Sequence, residues 1–592
     1  MNHQLFTRSA KEPDTDKPLQ EYPRPQMVRD SYLNLNGYWD YAINEEEKEP
    51  QKYDGKILVP FSPEAFLSGV HRQVRPEEFL HYRKEFELPK DFQIDRVLLH
   101  FGAVDQICEV FLNKRLVGRH EGGYLPFDFD ITNFLKEGRN LLTLTVKDYS
   151  DTSWFSRGKQ KLERGGMWYT AQSGIWQTVW LESVPRCYVK YMKIEPLYDN
   201  GSVAFQIFTS VPCKKDVRVK IFDDGREILS ESFKAGEKRA IPIPQFKSWS
   251  PESPHLYDAE IKAGEDRIRT YFAMRKFSME KDVRGILRFM LNNKPYFHNG
   301  LLDQGYWPDG LYTAPTDDAL SFDILQMKSL GFNMIRKHIK IEPLRGYYHC
   351  DRIGMLVWQD MVNGGGRYHM HFICTMPNLW MPFGRLVKDN KYRAFARKNK
   401  AGRKQYYREL KGMIAWLYNT PCITAWVPFN EGWGQFDAGE AVLRIRKMDP
   451  SRLIDEASGW FDQGGGDMFS IHNYWRKLRV RRKKDRAVAL TEYGGYSQPV
   501  AGHSFCSEVY GYRTYQTKKE LTAGFQKLIR RDIIRNIPRG LSAAVYTQVS
   551  DIEEEVNGLL TYDREIVKVE EKTVRQLNRE IYQVFKNCTS AE

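Results

Sequence analysis

The stretch AWVPFNEGWG, residues 425–434, decides how the chain is read. It opens as an apolar run and ends on Asn430 and Glu431, with Gly432 directly behind. A continuous apolar strand is typical of a parallel sheet covered by helices on both faces. A carboxylate at the end of such a strand is costly to bury unless it is paired or has a task. The stretch therefore reads as a parallel strand opening into a site, and it calls for a second group to share the work.

Around it, residues 277–592 alternate apolar strands with longer helical patterns, as βα units do. Eight strands are predicted: PYFHNGLL, FNMIRKH, GMLVWQDM, ITAWVPFNE, RLIDEAS, MFSIHNY, VALTEYGG and SAAVYTQVSD. Helical segments such as DDALSFDILQMKSLG, GRKQYYRELKGMIAWLYN and FQKLIRRDIIRNI fall between them. This is the texture of a (β/α)8 TIM barrel, which keeps its chemistry at the C-terminal ends of its strands. Residues 1–185 carry short alternating runs separated by turn residues and predict an antiparallel β-sandwich. Residues 186–276 repeat that texture at the size of an immunoglobulin-like sandwich.

The strand ends give a polar set. Strand two ends in Arg336 and His338, strand three near Trp358 and Asp360, and strand four in Asn430 and Glu431. Strand six ends in His472, Asn473 and Tyr474, strand seven in Glu492, and strand eight in Gln548 and Asp551. Any one of these accounts for itself as a satisfied polar group. Gathered at one barrel face, they describe an active site. Glu431 and Glu492 face each other across the mouth, and two carboxylates on one cleft can divide glycosidic bond cleavage between them. Trp426, Val427 and Phe429 beside Glu431 predict a pKa raised by burial, which suits a proton donor. Tyr474 and Arg336 are placed to support an ionised Glu492. The alternative, both glutamates as salt-bridge partners of basic barrel residues, explains either alone but not the constellation. A cation held by His338, Asp360, His472 and Glu492 is a second alternative, although no HxxxH or HxH spacing supports it.

Composition narrows the rest. The chain has 592 residues, 41% hydrophobic and 14% aromatic, and fits several globular domains. The aromatic content suits core packing first and sugar-stacking surfaces second. The net charge of +13 gathers in residues 388–404 and 476–486. These runs read as solvated loops rather than a nucleic-acid surface, because neither lies in a recognisable nucleic-acid module. No run of 18 apolar residues predicts a membrane span. The polar first residues predict no signal peptide, and the eight cysteines, without CxxC spacing, predict reduced thiols; both point to a cytoplasmic protein.

With these residues in hand, the sequence resembles the family 2 glycoside hydrolases, which include β-galactosidases, β-glucuronidases and β-mannosidases. RDSYLNLNGYWDY, HEGGYLPFDFDIT and SGIWQTVWLE are similar to the family's jelly-roll sugar-binding domain. WSPESPHLY and FAMRKF resemble the end of its immunoglobulin-like domain, and LNNKPYFHNG the entry to its barrel. WVPFNEGWG resembles the acid/base motif, which implies Glu431 as proton donor and Asn430 as partner of the sugar's 2-hydroxyl. LTEYGG implies Glu492 as nucleophile, NMIRKHIK implies Arg336 with His338 facing substrate, and SIHNYW implies Tyr474 as the nucleophile's partner. His472, Asp360, Trp358 and Gln548 complete the expected sugar-binding set. The resemblance implies a retaining exo-β-glycosidase with no organic cofactor and no metal in its chemistry, assembled as a dimer or tetramer. A terminal β-galactoside is the expected substrate. β-Glucuronidase or β-mannosidase-like specificity, or a non-catalytic carbohydrate-binding protein, are the alternatives. Gly166 stands where many β-galactosidases carry an Asp, and EVNGLLTYDRE lacks the Asn-x-Lys of β-glucuronidases. The long aromatic segment 363–390 offers Trp380 and Phe383 as a wall for the leaving group.

Overall fold

The computed structural model describes residues 4–11, 17–92, 95–213, 216–379 and 382–590. Two β-sandwiches precede a barrel. In the first, a six-stranded sheet runs Gly55–Val59, Gly37–Asn44, Phe79–Glu87, Arg139–Lys147, Ile107–Leu112, Arg115–Glu121. It faces a four-stranded sheet of Tyr32–Asn34, Val179–Val184, Arg96–Phe101 and Phe127–Asp130. Alternating residues such as Leu80, Tyr82, Val110, Leu112, Leu142 and Leu144 fill the space between the sheets. That two-residue period puts one face of each strand inside. This is the jelly-roll domain.

The second sandwich sets a three-stranded sheet, from Val189–Leu197, Ser202–Thr209 and Lys238–Pro242, beside a four-stranded one. The latter comprises Arg226–Phe233, Val217–Asp223, Tyr257–Ala263 and Asp266–Phe272. A buried arginine ties the two sandwiches together. Arg29 grips both carboxylate oxygens of Asp266 at 2.9 Å and reaches Glu182 of the first sandwich at 2.9 Å.

Eight parallel strands form the barrel, here β1 (His298–Asp303), β2 (Met334–Lys337), β3 (Leu356–Asp360), β4 (Ile423–Val427), β5 (Leu453–Ile454), β6 (Met468–Asn473), β7 (Ala487–Gly494) and β8 (Leu541–Thr547). Hydrogen bonding runs continuously from β5 through β4, β3, β2, β1, β8 and β7 to β6. The seam between β5 and β6 is closed by one backbone bond, Asp467 N–H to Ile454 O at 2.8 Å, and by side chains. Asp467 accepts from the backbone N–H of Ile454 at 2.8 Å, and Ser470 donates to Asp455. β5 is only two residues long, far shorter than the predicted RLIDEAS, because its continuation turns into this polar seam. Helix N-termini follow the sequence chemistry: Thr316 caps Asp317–Ser329, Asn399 caps Lys400–Leu417, and Thr517 caps Lys518–Leu528, each through its side-chain oxygen.

Two features were not legible as domain texture. Thr7 bonds Asp309 through its N–H (2.9 Å) and its hydroxyl (2.7 Å), while Phe6 meets Phe66 of the jelly roll at 4.7 Å, so residues 4–11 bridge the barrel and the jelly roll. A hairpin, Phe277–Lys281 with Leu287–Leu291, precedes β1 and closes the bottom of the barrel. Its Arg288 is fully buried, pairs with Asp282 at 2.9 Å, and donates to the carbonyls of Leu541 and Ile537 at 2.6 and 2.9 Å. The basic run 476–486 lies against the barrel side: Leu478 and Val480 are buried and their N–H groups bond Asp532 and Asn536. Among the described residues no helix is long and apolar enough to cross a membrane. Replacing Arg288 with Met leaves the Asp282 carboxylate buried without its partner, so unfolding stability should fall by about 3–5 kcal/mol. Denaturant unfolding of Arg288→Met checks this, and an unchanged midpoint contradicts the assignment of Arg288 as the barrel's lower clamp.

Candidate active site

The C-terminal strand ends converge on Arg336, at the end of β2. Its guanidinium is fully buried and every N–H is used. Nε and Nη2 grip Asp360 of β3 at 2.9 and 3.0 Å. Nη2 also donates to Asn430 Oδ1 at 2.8 Å. Nη1 donates to the Thr491 carbonyl at 3.1 Å and to Glu492 Oε1 at 3.3 Å. The paired carboxylates Asp360 and Glu492 hold the guanidinium's pKa above its ordinary value despite burial.

Glu492 sits on β7 and is 4% exposed. Its second oxygen accepts from the Tyr474 hydroxyl at 2.6 Å. Tyr474, one residue past β6, stacks on Tyr512 at 3.8 Å and touches Thr547 Oγ1 at 3.0 Å. Burial and then the charge of Glu492 push the Tyr474 phenol well above its usual pKa, so it stays a donor.

Asn430 and Glu431 lie beyond β4, which ends at Val427, so they are not strand residues as the sequence implied. The chain turns there through Glu431, whose φ of 52° is left-handed and costs a non-glycine residue about 1–3 kcal/mol. Backbone bonds hold the turn: Glu431 N–H to Ser458 O, and Ser458 N–H to Phe429 O, both 2.8 Å. Gly432 follows at φ 79°, and a Cβ there would stand 2.5 Å from the Phe461 ring. The glycine of NEGWG is a packing requirement.

His472, at the end of β6, lies between the two glutamates. Its Nδ1 is 2.7 Å from Glu431 Oε1 and 3.5 Å from Glu492 Oε2, and its Nε2 meets Ser458 Oγ at 3.0 Å. One ligand-type atom of each group lies within 4.8 Å of the others, so the two carboxylates and the imidazole share one small space. The predicted rise in the pKa of Glu431 is corrected here. Burial does work to raise it. The hydrogen bond and charge of His472, the Trp433 indole at 3.2 Å and the charge of Lys159 outweigh burial and bring it below the usual glutamate range. The aromatic neighbours used for the expectation, such as Phe429, pack away on Tyr406 and Phe436. For His472, burial opposes the charged imidazole, but Glu492 and Glu431 push its pKa above the ordinary value.

The other expected residues divide. His338 Nδ1 bonds Asp360 Oδ2 at 2.8 Å, and burial with the nearby Lys159 charge keeps the ring neutral, well below its ordinary pKa. Asp360 spends both oxygens on Arg336 and His338, so it is a holder rather than a sugar contact. Trp358 is also corrected: it is fully buried and donates to His298 Nδ1 at 3.0 Å, at the N-terminal end of β1, inside the barrel. Gln548 accepts from Gln304 at 2.6 Å, and Gln304 also donates to Tyr169 of the jelly roll. No bond links Gln548 to either glutamate. The four-residue cation set weighed as an alternative does not assemble among the described residues; the ligand-type group at the mouth is Glu431, His472 and Glu492. Trp380 lies outside the described residues. Phe383 packs against Phe372 and Phe461 under Gly432.

Sequence reasoning missed the jelly roll's share of the site. Arg157 and Gly158 donate backbone bonds to the Asn363 carbonyl, just past β3, and this docks the segment that carries Lys159 at the mouth. Gly166, where an Asp was expected, donates to Glu554 at 2.6 Å and lies where a Cβ would be 3.2 Å from Tyr510. Trp433 was signalled inside NEGWG itself; Lys159 and Trp168 carry no local signal.

Comparison with known proteins agrees with this architecture. Residues 50–185 match the model of the glycosyl hydrolases family 2 sugar binding domain, and residues 187–275 match that of glycosyl hydrolases family 2. A β-galactosidase of Thermoanaerobacter pseudethanolicus is 26% identical over 506 residues, covering 81% of this chain and 62% of that protein. A β-galactosidase of Halalkalibacterium halodurans is 24% identical, covering 73% and 44%. The chain thus spans about half the length of these relatives. A Ruminococcus gnavus β-glucuronidase structure superposes with a TM-score of 0.74 at 16% identity, covering 96% of this chain and 99% of that one, a likeness of fold. Over residues 50–275 the chain thus carries the sugar binding domain and the second domain of glycosyl hydrolases family 2, and its relatives agree with that family.

Proposed function

We propose that this protein is a retaining exo-β-glycosidase that removes a terminal β-linked sugar, with a β-galactoside as the first substrate to test. The observation that carries the reading is the pair of carboxylates, Glu431 and Glu492, within 4.8 Å across one barrel mouth. Glu492, held by Arg336 and Tyr474, attacks the anomeric carbon while Glu431 protonates the leaving oxygen. A glycosyl ester on Glu492 results, and water activated by the deprotonated Glu431 opens it. Asn430 accepts from Arg336 through its Oδ1 and so keeps its amide N–H groups for the sugar's 2-hydroxyl. The galactose preference draws on the β-galactosidase relatives.

The shared proton favours His472, because Glu431 is held low and His472 high. The donor form needs that proton on Glu431, 2.7 Å away. The two groups therefore titrate as a unit. As pH rises through the unit's upper apparent pKa the proton is lost, and acid catalysis with it.

A second reading, a glycone bearing a carboxylate, is favoured by Lys159. This half-buried ammonium reaches the ring of Tyr169 at 5.6 Å, and its charge acts on both His338 and Glu431. Hydrolysis of nitrophenyl β-galactoside, β-glucuronide, β-galacturonide, β-mannoside and β-glucoside separates the two. A cleaved galactoside with inert uronides supports the first, and the reverse supports the second.

Glu492→Ala should remove turnover on whichever substrate is cleaved; normal rates in that variant sink the nucleophile assignment. Glu431→Ala should cost about 10²–10⁴-fold with alkyl leaving groups and far less with dinitrophenyl, which leaves unaided. Equal losses across leaving groups count against the donor role. His472→Gln should move the basic limb of the kcat/KM profile to lower pH, because the group that holds the shared proton to higher pH is gone. A limb that stays in place shows that His472 does not share the proton.

A further inference from the structure

Residues 474–486, which join β6 to β7, form neither helix nor strand, although the crossovers of such a barrel are usually helical. Burial alternates along them. Leu478 and Val480 face the barrel, while Lys477, Arg479 and Arg481 are exposed. That alternation marks extended chain, in which outward residues two apart stand about 6.6 Å from one another. The backbone is fixed. The N–H groups of Leu478 and Val480 donate to Asp532 Oδ1 and Asn536 Oδ1, both at 3.1 Å, and Asn536 returns a bond to the Leu478 carbonyl at 3.3 Å. The basic run is therefore a row of cations on a rigid support, not the solvated loop that its composition suggests. Among the described residues, Lys477, Arg479, Arg481 and Lys484 make no ion pair. Arg535 and Arg539, exposed on the turn Ile534–Arg539 that anchors the row, widen it. Farther along, Lys483, Arg385 and Arg486 gather on the Phe469 ring at 4.1, 4.6 and 5.4 Å. Burial, then the charges of Arg385 and Arg486, bring the Lys483 ammonium below its ordinary pKa. Like charges so crowded work against the fold unless an anion relieves them. The row begins at Trp475, which is 66% exposed and meets the Tyr512 ring at 5.1 Å. Tyr512 stacks on Tyr474, the donor to Glu492, so the row is continuous with the barrel mouth.

We propose that this row on the side of the barrel is a docking surface for an acidic polysaccharide, one that carries carboxylate or sulfate groups. The choice of a polysaccharide rests on the glycosidase reading, because the row runs into the mouth of that site. Arginine is suited to the partner: its planar fork matches carboxylates and, by the same geometry, tetrahedral oxyanions. Because the backbone is already held, a polyanion meets the cations at little cost in ordering them. Nucleic acid fits less well. No aromatic residue stands between Lys477 and Lys484 for a base to stack on. A membrane surface fits less well too, since Leu478 and Val480 face inward and leave the outer side of the row no apolar face to insert.

The test measures binding to the Glu492→Ala protein by titration calorimetry, so that no outcome depends on turnover. The probes are polygalacturonate, dextran sulfate, uncharged dextran and a single-stranded oligonucleotide. At least one acidic polysaccharide should bind, more weakly as salt rises, and uncharged dextran should not. Tighter polygalacturonate identifies carboxylates as the groups held, and tighter dextran sulfate identifies sulfates. Reversing the row with Lys477→Glu, Arg479→Glu and Arg481→Glu together should weaken binding by about tenfold or more. The same change of net charge at the exposed jelly-roll lysines, Lys52→Glu, Lys90→Glu and Lys136→Glu, should cost far less. Arg479→Glu alone should give a smaller loss in the same direction. Equal losses in the two triple variants, no binding of either acidic polysaccharide, or an oligonucleotide held tighter than both overturn the proposal. Failure of the hydrolase reading shows separately, as an unaltered protein that cleaves nothing in the nitrophenyl panel.

Discussion

The site depends on one buried guanidinium. Arg336 has no exposed surface, and a charge so placed is tolerable only when fully paired. Its partners come from three further strand ends or the loops behind them: Asp360 at the end of β3, Asn430 after β4, and Glu492 with the Thr491 carbonyl on β7. The planar fork fixes these groups relative to one another. Asp360, once held, orients His338; Asn430, once held, sets the turn that carries Glu431. A lysine could not make these five bonds. The geometry of the mouth is thus a consequence of satisfying one arginine.

The second constraint is the imidazole between the two carboxylates. Two like charges within 4.8 Å would repel each other in a buried site, and His472 stands where it relieves both. Its ring is fixed from behind by Ser458, the residue whose carbonyl also accepts from Glu431 N–H. The strained backbone at Glu431 and the tuning of its proton therefore rest on the same short segment after β5. The jelly roll completes the arrangement by docking Arg157 and Gly158 against Asn363, which brings a cation and an indole to a mouth that the barrel alone would leave open.

Much of this was legible in the sequence because it is local. Apolar runs of period two and longer helical patterns mark the three domains. Polar residues at the ends of apolar strands mark Arg336, Asn430, Glu431, His472, Tyr474 and Glu492. What was misread needed a third dimension. The pKa of Glu431 was inferred from chain neighbours, yet those rings point elsewhere and a histidine from another strand decides it. Trp358 lies two residues before Asp360 and beside Arg336 in the sheet, but its indole turns down to His298 rather than up to the mouth. Gln548 lies one residue past β8 and is taken by Gln304. Lys159 and Trp168 lie more than 170 residues from the barrel strands they face, a separation that roughly spans a domain and that no local pattern reports. The two-residue β5 shows the same limit, since a strand that ends in a side-chain seam looks like a longer one in a string of letters.

The proposal at the centre is that Glu431 and Glu492 act as donor and nucleophile in a double displacement. The most direct measurement is the configuration of the sugar first released from a cleaved nitrophenyl β-glycoside, followed by proton NMR before mutarotation. The account predicts the β-anomer first, with the α-anomer growing in only as the free sugar equilibrates. The α-anomer appearing first would mean a single displacement by water, and would contradict a covalent intermediate on Glu492.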